Sequence, residues 1–198
     1  MLDVTVITPS IPERSALLCE AIQSVHRQTM APREHLIHVE QTPAGIHPMV
    51  HLIEQRNRLA AACLTEWVAT LDDDDLYLRG HFETISAAMQ GDADVIYTAP
   101  LELSLSPFPA DVGQFDFQNF VTSNACIRRR SLLEIGGWSA DGFDPETHRY
   151  EGLHVTAEDW HLWRRMARAG MKFVGIPRQT WHYRRGDWHR LTEDIGDA

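Results

Sequence analysis

The chain has 198 residues, 43% of them hydrophobic, which suits a compact domain with a sizeable core and argues against disorder. Eighteen Lys and Arg stand against 28 Asp and Glu, for a net charge of −10. Such acidity argues against nonspecific binding to nucleic acid or an anionic membrane, so a phosphate-bearing ligand must rely on a local arginine cluster or a metal.

Val4-Thr5-Val6-Ile7 is a β-branched run broken at Thr8-Pro9, a first strand. Pro12 and Glu13 open a helix in which Leu17, Leu18, Ala21, Ile22 and Val25 recur at helical spacing. A strand over His35–Glu40 follows, then a polar loop, then a helix with Met49, Leu52, Ile53, Leu59, Ala60 and Cys63 as its stripe. Arg56 lies in phase with that stripe, where it either snorkels to the surface or reaches an anion at the sheet edge.

Trp67–Leu71 reads as a buried strand, and it ends in Asp72-Asp73-Asp74-Asp75. The carboxyl end of such a strand is the usual ligand position in an open α/β sheet. If the chain stays extended, Asp72 and Asp74 face one way and Asp73 and Asp75 the other. A divalent cation with hard oxygen ligands would relieve their repulsion. The plainer alternative is that Asp74 or Asp75 caps a helix starting near Leu78.

A helix to Met89 closed by Gly91 and a strand at Asp94–Tyr97 complete a strand–helix alternation that predicts an α/β fold with a mostly parallel sheet flanked by helices. Residues 99–122 form an aperiodic excursion, and Ser123–Ile127 a return strand leading to a short helix from Arg128 to Ile135. A polar loop over 139–156 precedes a helix in which Asp159 shares a face with Leu162, Trp163 and Met166 while Glu158 is turned aside. Thr156-Ala157-Glu158-Asp159 also fits a capping pattern. Lys172–Ile176 and Thr180–Tyr183 are expected as two short strands. His182 is either a hydrogen-bonded structural histidine or a metal ligand, and Arg184 and Arg185 are either phosphate contacts or a solvated turn.

With no repeat or linker, one domain over 1–198 is expected, with a nucleotide-binding half (1–98), an acceptor half (99–183) and a tail (184–198). Cys19, Cys63 and Cys126 read as reduced core thiols. No signal peptide and no membrane-spanning stretch is visible, so a cytoplasmic location is expected.

Together these segments resemble the family 2 glycosyltransferases. Val6-Ile7-Thr8-Pro9, Arg14 and Ala21-Ile22-x-Ser24-Val25-x-x-Gln28-Thr29 look like the family's opening. Arg56-Asn57-x-Leu59 before Leu71-Asp72-Asp73-Asp74-Asp75 resembles its Arg-Asn helix and Asp-x-Asp motif. Gly136-Gly137-Trp138 and Glu158-Asp159-x-x-Leu162-Trp163 match its later landmarks. The resemblance implies a single-domain GT-A fold, a nucleotide-diphosphate sugar donor, an Mn²⁺ or Mg²⁺ cofactor, and inverting transfer to a hydroxyl-bearing acceptor. Carried over, Thr8, Pro9, Arg14, Gln41, Arg56, Asp72 and Asp73 would meet the donor, Asp74 and His182 the metal. Asp159 would be the base, with Trp138, Glu158 and Trp160 on the acceptor side. Gln41 stands after Val39-Glu40 where the family commonly has paired aspartates, which shifts the expected base away from uridine. The rival functions are a non-catalytic nucleotide-sugar binder and a nucleotidyltransferase; the latter would be expected to carry a Gly-rich loop where Thr8–Pro12 stands.

Overall fold

Alternation of apolar side chains builds a sheet with two buried faces. In the computed structural model, which describes residues 1–101, 119, 121, 123–151 and 157–184, β1 (Leu2–Ser10) is buried from Val4 to Ser10. Val4 and Val6 pack on one side with Ala21 and Val25 of α1 (Ser15–His26), while Ile7 packs on the other with Ile53 and Leu59 of α2 (Pro48–Ala62). The same period of two sends Trp67 and Ala69 of β3 (Trp67–Thr70) to the first face and Val68 to the second. A face of this kind needs apolar residues on both sides, which is why these strands read as continuous hydrophobic runs.

The remaining elements are β2 (Pro32–Val39), β4 (Leu76–Tyr77), α3 (His81–Met89), β5 (Val95–Pro100), β6 (Cys126–Arg128), α4 (Arg129–Glu134), β7 (Phe143–Asp144), β8 (Arg149–Tyr150), α5 (Glu158–Arg168) and β9 (Phe173–His182). The large sheet runs β2-β1-β3-β6-β5-β9-β4. β1, β2, β3, β5 and β9 point one way, and only β6 and β4 oppose them, so the sheet is mostly parallel. β7 and β8 form a separate hairpin within the polar loop.

Three local expectations are corrected. Phe173–His182 is one strand, with irregular register against β5, because the pairing resumes beyond Pro177 rather than ending there. α3 begins at His81 after Gly80, so none of the four aspartates caps it. α5 begins after Ala157, whose side chain offers no cap, and Gly170 at φ +77 closes it, with Met171 N–H bonded to Met166 O at 3.1 Å. Most of the excursion after residue 101, Thr156 and Arg185 lie outside the described residues. Among the described residues no helix is long and apolar enough to cross a membrane.

Candidate active site

The carboxyl ends of β2, β1 and β3 and the flank of α2 enclose a cavity of about 370 Å³. Its acidic wall is the segment after β3. The backbone turns there, with Asp75 N–H donating to Asp72 O at 3.1 Å, and then joins β4, which pairs with the end of β9. The turn cancels the extended alternation: Asp72, Asp73 and Asp74 all line the cavity, and the carboxylates of Asp72, Asp74 and Asp75 offer oxygens within 4.8 Å of one another.

Each acid is held differently. Asp73 accepts from Ser10 Oγ at 2.6 Å and pairs with Arg14 at 3.0 Å, and Arg14 also pairs with Asp74. Asp75, fully buried, accepts from Asn124 Nδ2 at 2.5 Å and from Arg184 N–H at 3.0 Å. Asn124 also receives the Asp72 N–H at 3.1 Å, so one amide ties both ends of the turn. Burial pushes Asp73 up to about 6 despite Ser10 and Arg14. Burial, then Asp72 and Asp74, pushes Asp75 up to about 8, and burial and Asp72 raise Asp74. The turn is short of positive charge, and its close-set hard oxygens fit a divalent cation.

Arg56 projects from α2 to the opposite side of the turn. Its guanidinium is 2% exposed, contacts Asp72 at 2.5 Å and pairs with Glu158 at the start of α5. Burial would lower its pKa, but Asp72, Glu158 and Asp159 raise it above the ordinary value, so the cation is fixed. Trp138 lies under it, the ring centroid 5.8 Å from the guanidinium carbon. Asn57, the next residue, clamps the Trp138 backbone through bonds of 2.8 and 2.9 Å. A Cβ on Gly137, at φ +72, would collide with that amide, which explains the glycine. Residues 56–57 and 136–138 thus form one unit.

At the N-terminus of α5 the predicted phase is reversed. Glu158 is the more buried acid and points to Arg56, whereas half-buried Asp159 lines the cavity. A first-turn residue with a long side chain can lean back toward the helix start, which a wheel drawn from the apolar stripe does not capture. Burial and neighbouring Glu158 push Asp159 up to about 7, against the opposing pull of Arg56.

The cavity gathers Pro9, Arg14, Arg56, Asp72, Asp73, Asp74, Glu158 and Asp159 from the predicted set. Others lie elsewhere. Thr8 bonds His35 Nε2 at 2.9 Å across the sheet. Gln41 is exposed and donates to Glu13 at 2.8 and 3.1 Å in the amide orientation that suits both groups. Trp138 supports Arg56 from below, and Trp160, on α5, packs against the core. His182 pairs with Leu76 and lines a separate depression beside α1, apart from the three-carboxylate group. Arg184 is tied to Glu20, Leu17 O and Asp74 O. Ser10, Asn124 and Tyr183 were missed; a lone polar residue at a strand end carries no local signal of a partner 49 or 63 residues away.

No protein-family model and no curated protein sequence matches the chain. Solved structures match in shape. A segment of S. aureus TarS has TM-score 0.64 at 13% identity, over 98% of this chain and 64% of that one. A mannosyltransferase from Pyrobaculum calidifontis, solved with GDP-Man and Mn²⁺, has TM-score 0.61 at 14% identity, over 99% of this chain and 65% of its own. A Drosophila β-1,4-galactosyltransferase variant solved with manganese, UDP-Gal and xylobiose has TM-score 0.58 at 17% identity, over 94% and 73%. The fold is therefore the GT-A fold of glycosyltransferases. The chain spans less than two thirds of the TarS segment.

Proposed function

We propose that the chain is an inverting glycosyltransferase of the family 2 kind, using a nucleotide-diphosphate sugar and an acceptor hydroxyl. The observation that carries this reading is the meeting, in one cavity of a GT-A fold, of an acidic turn, two arginines and a separate carboxylate with a raised pKa. Asp159 accepts the acceptor's proton as its oxygen bonds the anomeric carbon and the bond from that carbon to the diphosphate breaks. A base with a pKa near the working pH is suited to that transfer. Arg14 and Arg56 face the growing negative charge of the departing diphosphate. Glu158 holds Arg56 in place rather than touching the acceptor. A divalent cation, Mn²⁺ or Mg²⁺, held among Asp72, Asp74 and Asp75 would add the positive charge that the site otherwise lacks. His182, in its separate depression, has no part in this scheme.

The test is a panel of nucleotide sugars with Mn²⁺, reading both melting temperature and release of nucleoside diphosphate. Binding to the native state raises the melting temperature by mass action. Absence of any shift with every nucleotide, with and without cation, overturns the proposal. A shift without turnover favours the non-catalytic binder.

A further inference from the structure

The cavity continues past the acids to an end that the transfer chemistry does not use. Its lining there includes the apolar side chains of Ile11 after β1 and of Met49 and Leu52 on α2. The same lining holds two polar side chains of α2, His51 and Gln55, one helical turn apart and only 5% and 2% exposed. Gln55 Nε2 donates to Glu40 O at 3.3 Å and meets His51 Nε2 at 2.9 Å.

A carbonyl only accepts, so Glu40 fixes the orientation of the Gln55 amide. Both amide hydrogens are then committed, and Gln55 Oε1 is left as an acceptor. His51 Nε2 lies 3.5 Å from Glu40 O but only 2.9 Å from the Gln55 amide nitrogen; the shorter contact makes Nε2 the acceptor and leaves the ring hydrogen on Nδ1, a donor. Among the described residues neither Gln55 Oε1 nor His51 Nδ1 has a hydrogen-bond partner. Two polar atoms of opposite character on buried side chains that line the cavity, with tautomer and orientation set beforehand, describe a reader for a ligand edge.

The place of the pair identifies the edge. Glu40 follows β2 and donates its N–H to Ser10 O at 3.1 Å, whereas the acids follow β3 on the far side of β1. Two strand spacings, about 10 Å, separate the two ends, a span suited to a nucleoside with its diphosphate at the acids. We propose that His51 and Gln55 hold and discriminate the donor's nucleobase, whose edge gives an N–H to Gln55 Oε1 and accepts from His51 Nδ1. The apolar walls cover the faces of the ring. This rests on the glycosyltransferase reading and moves base selection from Gln41 to α2.

The experiment compares uridine, guanosine, cytidine and adenosine diphosphates with inorganic pyrophosphate, each with Mn²⁺, on wild type, Gln55→Leu, His51→Phe and Gln41→Ala. Pyrophosphate has no base and reports on the acid end alone. In Gln55→Leu and His51→Phe the preferred nucleotide should bind roughly tenfold more weakly, the preference among bases should narrow, and pyrophosphate should bind as before. Gln41→Ala should match wild type. Equal losses for nucleotide and pyrophosphate, or no loss for either, would overturn the assignment. If a variant fails to fold, Met49→Ala, which opens the wall without touching the pair, must weaken nucleotide but not pyrophosphate. Wild type that binds pyrophosphate but no nucleotide would bring down the transferase reading itself, an outcome separate from wild type and variants binding nucleotide alike.

Discussion

The turn after β3 and the first turn of α5 are built on the same plan, although one is a loop and the other a helix. Each places neighbouring carboxylates in the cavity and pairs one of them with Arg56: Asp72 in the first, Glu158 in the second. The neighbours differ in what they lack. Each accepts from a side-chain amide and a backbone N–H, Asp75 from Asn124 and Arg184 and Asp159 from Asn119 and Trp160, but Asp75 sits among acids whereas Asp159 lines the cavity apart from the acidic turn. Both are pushed upward by burial and by adjacent carboxylates. One buried guanidinium thus decides which acid in each segment is a fixed counter-ion. The acid left over needs a cation in the first segment and takes a proton in the second.

The largest effect should come from removing the shared cation. Arg56→Met leaves Asp72 and Glu158 without their partner, and breaking such a buried pair from one side costs about 3–5 kcal/mol. Chemical denaturation should show that loss, and nucleotide binding should vanish with it. Arg56→Lys, a point charge without the fork, should recover only part of the stability. Full stability in Arg56→Met would mean that the two segments are independent.

Next in size is the contrast within α5. Asp159→Asn should lower turnover about 10²–10⁴-fold with nucleotide affinity and melting temperature nearly unchanged. Glu158→Gln should do the reverse, lowering melting temperature and donor affinity by loosening Arg56. Equal behaviour of the two variants would erase the distinction between base and counter-ion.

That contrast also shows how far the sequence could be read. The strand–helix alternation and the parallel sheet were legible, because apolar period and phase place residues on faces; phase put Arg56 on the inner stripe of α2 but left open whether it reached an anion. The failures share a cause. Alternation at Asp72–Asp75 assumed extended backbone where a turn intervenes, and the relative burial expected for Glu158 and Asp159 assumed a wheel that does not govern a first turn. Asn124, Ser10 and the His51–Gln55–Glu40 relay depend on neighbours brought together by the sheet order β2-β1-β3-β6, which no local pattern encodes. His182 and Tyr183 differ by one position, and only Tyr183 reaches the cavity.

A smaller effect concerns Arg14, the counter-ion of the acidic turn on the side opposite Arg56. It occupies Asp73 and Asp74, so it competes with a cation for Asp74 and becomes available to a diphosphate when displaced. In Arg14→Gln, calorimetry should find Mn²⁺ alone bound several-fold more tightly and pyrophosphate with Mn²⁺ more weakly. Parallel changes in both affinities would refute the exchange.

The smallest expected effect is a pH dependence, and its sign separates the leftover acids from the rest of the protein. Asp75 and Asp159, raised from 3.8 to about 8 and about 7, hold protons more tightly folded than unfolded. Their stabilising contribution is complete below the unfolded value and is lost as pH rises through the folded values. His35 and His161 are pushed down to about 4 and His81 to about 3, chiefly by burial, so they act oppositely, removing stability as pH falls below 6.5. The two groups overlap up to about pH 7, because an unfolded histidine is still half protonated at 6.5, but between about pH 7.5 and 8 the histidines are nearly neutral in both states and these carboxylates dominate the titration. Without divalent cation, the urea midpoint should therefore fall as pH rises across that window. Asp75→Asn should flatten the slope more than Asp159→Asn, since Asp75 has the higher value. Mn²⁺ should flatten it in wild type by favouring the ionised turn, and should do little in Asp74→Asn. A midpoint that rises with pH in the cation-free protein would show that the acids of the turn are already compensated.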